Sequence, residues 1–232
     1  MKAVITGASR GIGRSIALEL APSASVLSLV ARGVEALEQV KAEVAEVHPN
    51  VVVRCYAFDA ADRSGAHQLA SDILHKDGHL DVLVNCAGAA LQPRPLQEVD
   101  LENWDQIIHS NLTSTVNMTK SLFPHLQASG NARIVNIAST AGLTPRPGWS
   151  AYAAAKAAVV NFSATIAEEL RPYNISVFCV APGRTATALR SLLAPDEDPS
   201  TIMQPEAVAR IVSFLISDAG RYLSGQTLVV KG

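Results

Sequence analysis

Cysteine is scarce in this chain: Cys55, Cys86 and Cys179 are the only three in 232 residues. They are odd in number, far apart and include no C-x-x-C pair. That excludes a disulfide framework and leaves small buried hydrophobes in a reducing compartment. The six histidines are equally scattered, with no H-x-x-x-H spacing and no cysteine companion, so no metal site is expected. An excess of one charge is missing too. The net charge is −2 and Lys and Arg form no runs, which argues against nucleic acid or an anionic membrane as partner. No stretch approaches the ~20 apolar residues of a membrane-spanning helix. The chain reads as a strand from residue 2 and runs straight into a glycine-rich loop, which leaves no room for a cleaved leader. A cytoplasmic protein is expected.

What is present is globular composition, with 48% hydrophobic against 17% charged residues, enough for one core over the whole length. Short β-branched apolar runs at 2–6, 26–31, 51–58, 80–85, 133–139, 175–181 and 227–230 read as strands. Their apolar character is near-continuous, as expected for strands buried on both faces. Between them, 13–20, 34–47, 62–75, 101–127, 152–171 and 205–216 carry helical spacing. Alternating β and α predicts an α/β fold: a single-domain, Rossmann-type, doubly wound parallel sheet of about seven strands with helices on both faces. Residues 185–204, with two prolines and the cluster Asp196-Glu197-Asp198, are expected to form a mobile loop over a site.

Gly7, Gly11 and Gly13 follow the first strand and open the first helix. Missing side chains let backbone amides approach a pyrophosphate, and the helix N-terminus faces its charge. The second strand ends Leu29-Val30-Ala31-Arg32, so Ala31 stands where an acid would favour a free ribose hydroxyl. Arg32 and Arg10 are two guanidiniums suited to clamp a 2′-phosphate, which favours NADP(H) over NAD(H). Tyr152 and Lys156 lie four residues apart, one helical turn, and so share a face. A cation beside the phenol favours the phenolate, bringing proton exchange toward neutral pH. Ser139 supplies a neutral donor to a reacting oxygen.

These motifs, in this order over essentially the whole length, resemble the short-chain dehydrogenase/reductase family. Thr6–Gly13 is similar to its T-G-x-x-x-G-x-G motif, placing Gly7, Ser9, Arg10, Gly11, Ile12 and Gly13 against the cofactor. Asp59, with Ala60, resembles the acidic end of the third strand that contacts adenine. Asn85-Cys86-Ala87-Gly88 resembles N-N-A-G, with Cys86 a departure, and implies that Asn85, Ala87 and Gly88 border the cofactor. Pro182-Gly183, Thr185 and Thr187 resemble the segment that holds the nicotinamide. The resemblance implies catalysis by Asn111, Ser139, Tyr152 and Lys156. Tyr152 would be the acid in reduction, Lys156 would lower its pKa and hold the ribose, Ser139 would polarise the carbonyl, and Asn111 would hold a relay water.

The expected activity is hydride transfer between NADP(H) and a carbonyl or secondary alcohol, on a small-molecule ketone. Ala89, Leu91, Leu143, Trp149, Leu189 and Leu192 are candidate pocket walls, and Arg146 and Arg190 candidate contacts for an anionic substrate. Many relatives reduce 3-oxoacyl groups on an acyl carrier protein, which is the alternative. Such relatives carry basic residues near 127–131 and 171–174, where only Arg171 is cationic here. An alternative of another class is a catalytically idle NADP(H)-binding sensor, against which both Tyr152 and Lys156 speak. The resemblance further implies a homodimer or homotetramer.

Overall fold

The computed structural model describes residues 1–231. The strands are β1 (Lys2–Thr6), β2 (Val26–Ala31), β3 (Val52–Ala57), β4 (Val82–Asn85), β5 (Ala132–Ile137), β6 (Ile175–Pro182) and β7 (Thr227–Val230). The helices are α1 (Gly11–Leu20), α2 (Val34–Val47), α3 (Arg63–Lys76), α4 (Leu101–Ile108), α5 (Ser114–Ser129), α6 (Ser150–Leu170), α7 (Ala188–Leu193) and α8 (Pro205–Ile216). All pairings are parallel, in the order β3-β2-β1-β4-β5-β6-β7. The order reverses between β1 and β4, and the diverging loops at that switch point open a crevice beyond the strand C-termini.

Alternation along the strands supplies two faces. Ala3 and Ile5 of β1 pack with Ile16 of α1, Leu37 of α2 and Val212 of α8. Val4 points the other way, into a core with Leu69 of α3, Ile166 of α6 and Met118, Leu122 and Leu126 of α5. Those α5 residues recur every four positions on one stripe. Each fully buried aliphatic side chain of this kind stabilises the fold by about 1.5–3 kcal/mol.

Three local differences from the sequence pattern concern the site. The first helix begins at Gly11 rather than Gly13, so the glycine loop is itself the helix entry. The single helix expected over 101–127 is interrupted at His109–Thr113 by a π-helical turn. Residues 185–204 are not a plain loop: they hold α7, capped by the Thr187 hydroxyl accepting from Arg190 N at 3.1 Å, and a 3₁₀ turn at Pro199–Thr201.

Candidate active site

β1 ends at Thr6, whose hydroxyl accepts hydrogen bonds from the Cys86 and Ala87 amides, both at 3.0 Å. This clasps the C-terminal ends of β1 and β4 at the switch point. Gly7 follows at φ +67°, and a Cβ there would lie 2.9 Å from Ala87 N. At Gly13 a Cβ would fall 2.2 Å from Gly7 O. Only glycine fits either position. No side chain caps α1 at Arg10, so its first-turn amides have positive character to offer an anion.

This cradle forms one end of a cleft of about 850 Å³. Gly7, Ser9, Arg10, Gly11, Ile12 and Gly13 line it. Arg32, Asp59 and Ala60 line it beyond β2 and β3, and Ala87, Gly88, Pro182, Gly183, Thr185 and Thr187 beyond β4 and β6. Neither Arg10 nor Arg32 is in an ion pair among the described residues, whereas neighbouring Arg14 pairs with Glu43. The cradle and its unengaged guanidiniums fit a phosphorylated dinucleotide.

Asn85 is the exception among the expected cofactor residues. It lies on the central strand, buried, and donates to Thr119 Oγ1 at 3.0 Å and Asn136 Oδ1 at 2.8 Å. Asn136 passes the chain to Ser163 at 2.9 Å. Asn85 therefore braces the sheet against α5 and α6 and does not line the cleft.

The catalytic candidates meet at the other end of the cleft. Tyr152 and Lys156 project from the first turns of α6, and Ser139 follows β5. Lys156 is 5% exposed; its Nζ donates to Ile137 O at 2.9 Å and stands 5.8 Å from the centre of the Tyr152 ring. Burial pushes the Lys156 ammonium down to about 8. Burial also pushes the Tyr152 phenol up to about 12, against the lowering effect of the Ser139 hydroxyl beside it. Burial is thus the largest influence on the phenol in this geometry, and Ser139, not Lys156, is the group that lowers it.

Asn111 sits in the π turn and is fully buried. Its amide nitrogen donates to Ala89 O at 2.8 Å and Ile107 O at 2.9 Å, bracing the helix interruption against the loop after β4. Its Oδ1 is buried with no partner. A Cβ on Gly88 would lie 2.6 Å from that oxygen and 3.4 Å from Lys156 Nζ. Gly88 thus sits directly against both groups, and one acceptor remains open beside the ammonium. π turns of this kind recur at functional sites.

On the substrate side, Ala89, Leu189 and Trp149 line the cleft, and Trp149 packs edge-on against Tyr152 at 5.8 Å. Leu91 and Leu192 line a second, adjoining cavity, and Leu143 lines neither. Arg146 and Arg190 both line the cleft, but Arg190 is held in a fork by Glu197, at 2.5 and 2.9 Å, and Glu197 also accepts from Arg184 at 3.0 Å. Arg190 is therefore engaged rather than open to an anion. Thr6 belongs to the glycine motif and Glu197 to the acidic cluster, but the bonds they make were not apparent in the sequence, because their partners lie far along the chain or across α7.

The sequence model described as short chain dehydrogenase matches residues 1–198. A 3-oxoacyl-[acyl-carrier-protein] reductase of Synechocystis sp. is 36% identical over 99% of this chain and 95% of its own. A 3-ketoacyl-(acyl-carrier-protein) reductase from Brucella melitensis, complexed with NADH, superposes with a TM-score of 0.89 at 29% identity, over 98% of this chain and 95% of that one. A short chain dehydrogenase from Shigella flexneri, complexed with NADP, gives 0.91 at 29% identity over the same shares of the two chains. With the glycine cradle, the switch-point cleft and the Ser139, Tyr152 and Lys156 cluster in place, the chain belongs to the short chain dehydrogenase family of oxidoreductases.

Proposed function

We propose that this protein is an NADPH-dependent reductase of a small-molecule ketone. The observation that carries the reading is one cleft that brings the Tyr152 phenol together with the Ser139 hydroxyl, the Lys156 ammonium and a phosphate cradle. Relatives of this chain are named with both NADH and NADP, so the choice of cofactor rests on Arg10 and Arg32, whose guanidiniums match a 2′-phosphate. The backbone of Gly7, Ser9, Gly11, Ile12 and Gly13 would hold the pyrophosphate, Asp59 and Ala60 the adenine end, and Ala87, Gly88, Pro182, Gly183, Thr185 and Thr187 the nicotinamide end. NADPH supplies the hydride that reduces the carbonyl carbon.

The protein's own part is to orient and protonate. The Ser139 hydroxyl, which already accepts from Ala141 N at 3.2 Å, donates to the carbonyl oxygen and fixes its direction. Tyr152 Oη gives its proton to the same oxygen as negative charge develops there. Lys156, charged below about pH 8, stabilises the phenolate left behind. The open Asn111 Oδ1 beside Lys156 provides an acceptor for a relay that returns a proton from water.

A second reading is 3-oxoacyl-(acyl-carrier-protein) reduction, favoured by the name of the 36% identical relative. Against it, Arg171, the cation where a carrier would dock, pairs with Glu168 at 2.5 Å. The idle-sensor reading has no observation in its favour, since every catalytic group is assembled. The reductase reading implies a cytoplasmic homodimer or homotetramer. The deciding experiment follows NADPH and NADH oxidation against ketones, aldehydes, quinones and 3-oxoacyl thioesters. Turnover of free ketones with NADPH is expected; turnover restricted to 3-oxoacyl thioesters would favour the second reading, and none at all with NADPH bound would mean an unusual substrate or the third reading.

A further inference from the structure

A second cavity, of about 310 Å³, adjoins the catalytic cleft and shares Trp149, Tyr152 and Leu193 with it. Its walls come from four separate stretches: the chain after β4, α4, the entry to α6 from Gly148 to Tyr152, and the C-terminal end of α7. Ala90, Leu91, Trp104, Ile107 and Leu192 make it apolar. The charged residues along it are turned to other work. Asp100 caps α4 by accepting from Glu102 N at 2.9 Å, and the largely exposed Arg94 guanidinium faces Glu98 at 3.9 Å. Leu91 and Leu192 remain 42% and 46% exposed, so the cavity has an apolar edge that nothing among the described residues covers.

Resting on the reductase reading, we infer that this cavity receives the apolar arm of the ketone itself, and that the substrate is uncharged with an extended hydrophobic substituent. Continuity decides the occupant. A carbonyl at Tyr152 has one substituent beside Trp149, and Trp149 is the wall common to both spaces. The engaged Arg190 leaves little to reward an anionic head group on the α7 side. A cavity of this size seats several methylenes, and each one removed from water raises kcat/KM roughly three- to fourfold until the space is filled.

The cavity carries its own reporter. Trp104 and Trp149 are the only tryptophans in the chain, and both line it. Trp104 does not line the catalytic cleft, so in Trp149→Phe the sole emitter belongs to the second cavity.

The test is a series of 2-alkanones from butanone to decanone, measured with NADPH in the wild type and in Ala90→Leu, with tryptophan emission of wild type and Trp149→Phe titrated in parallel. Expected are a kcat/KM that climbs with chain length and levels off, an Ala90→Leu protein that keeps butanone turnover but loses the climb, and Trp104 emission that shifts more with longer ketones. Turnover with a flat length profile and a silent Trp104 would overturn the inference while leaving the reductase reading intact. Emission that changes with protein concentration and not with ketone would overturn it in favour of a second copy of the chain covering the cavity. If no ketone is turned over and Trp104 still responds to chain length, the cavity assignment stands and the reductase reading falls.

Discussion

Lys156 Nζ donates to Ile137 O at 2.9 Å while standing 5.8 Å from the centre of the Tyr152 ring. The ammonium is thus anchored to β5 and held above the phenol, close enough to stabilise a phenolate once it forms but not to create one beforehand. Burial favours the neutral phenol, the resting state a proton donor requires, while Lys156 still carries its charge below about pH 8.

Tyr152→Phe removes the donor and leaves the cradle untouched. Turnover should fall by about 10²–10⁴-fold, with NADPH affinity, read by fluorescence titration, changed only slightly. Wild-type-like turnover would remove Tyr152 from the acid role.

Lys156 titrates near 8 when folded and near 10.5 otherwise. Below pH 8 both folded and unfolded chains carry the charge, and the fold bears the full cost of burying it. Between pH 8 and 10.5 the unfolded chain binds more protons, so this group makes stability rise with pH. Lys156→Met should be inactive yet more stable than the wild type at pH 7 by about 2 kcal/mol, the desolvation cost less a lost hydrogen bond. That advantage should shrink towards pH 10.5. Urea midpoints of both proteins at pH 7 and 10 check this, and an advantage that does not change with pH would refute it.

Arg32→Asp sets a carboxylate where the 2′-phosphate is to bind. The ratio of kcat/KM for NADPH to that for NADH should drop by at least about tenfold, since a charge-assisted hydrogen bond contributes about 1.5–3 kcal/mol. An unchanged ratio would assign phosphate recognition to another group.

Glu197→Gln weakens the fork on Arg190 and the bond to Arg184. A guanidinium released into the cleft should improve kcat/KM for a keto acid over its neutral analogue by about fivefold, on the order of 1 kcal/mol. Relative rates for pyruvate and butanone provide the readout. No change in that ratio would show that Arg190 keeps its place without the fork.

Much of this site was legible because its chemistry is local in sequence. The Tyr152 and Lys156 spacing, the glycine steps from Gly7 to Gly13 and the absence of an acid at Ala31 depend on neighbours a few residues away. Asn85 was not legible in the same way. On a strand buried on both faces, Val84 and Asn85 are both inside, and alternation does not reveal that neither lines the cleft. The π turn at Asn111 was hidden because one extra residue hardly disturbs a helical stripe of some two dozen residues. Thr6 acts on amides 80 and 81 residues away, and the walls of the second cavity come from four separate stretches. Only tertiary packing brings such groups together.

Gly11, inside the phosphate cradle, lies against Thr187, the residue that caps α7: a Cβ at Gly11 would be 3.2 Å from Thr187 Cγ2. The two ends of the reaction are therefore mechanically joined. A side chain added at Gly11 would press on the cap of α7, so damage to the phosphate cradle would be felt on the substrate side of the cleft as well.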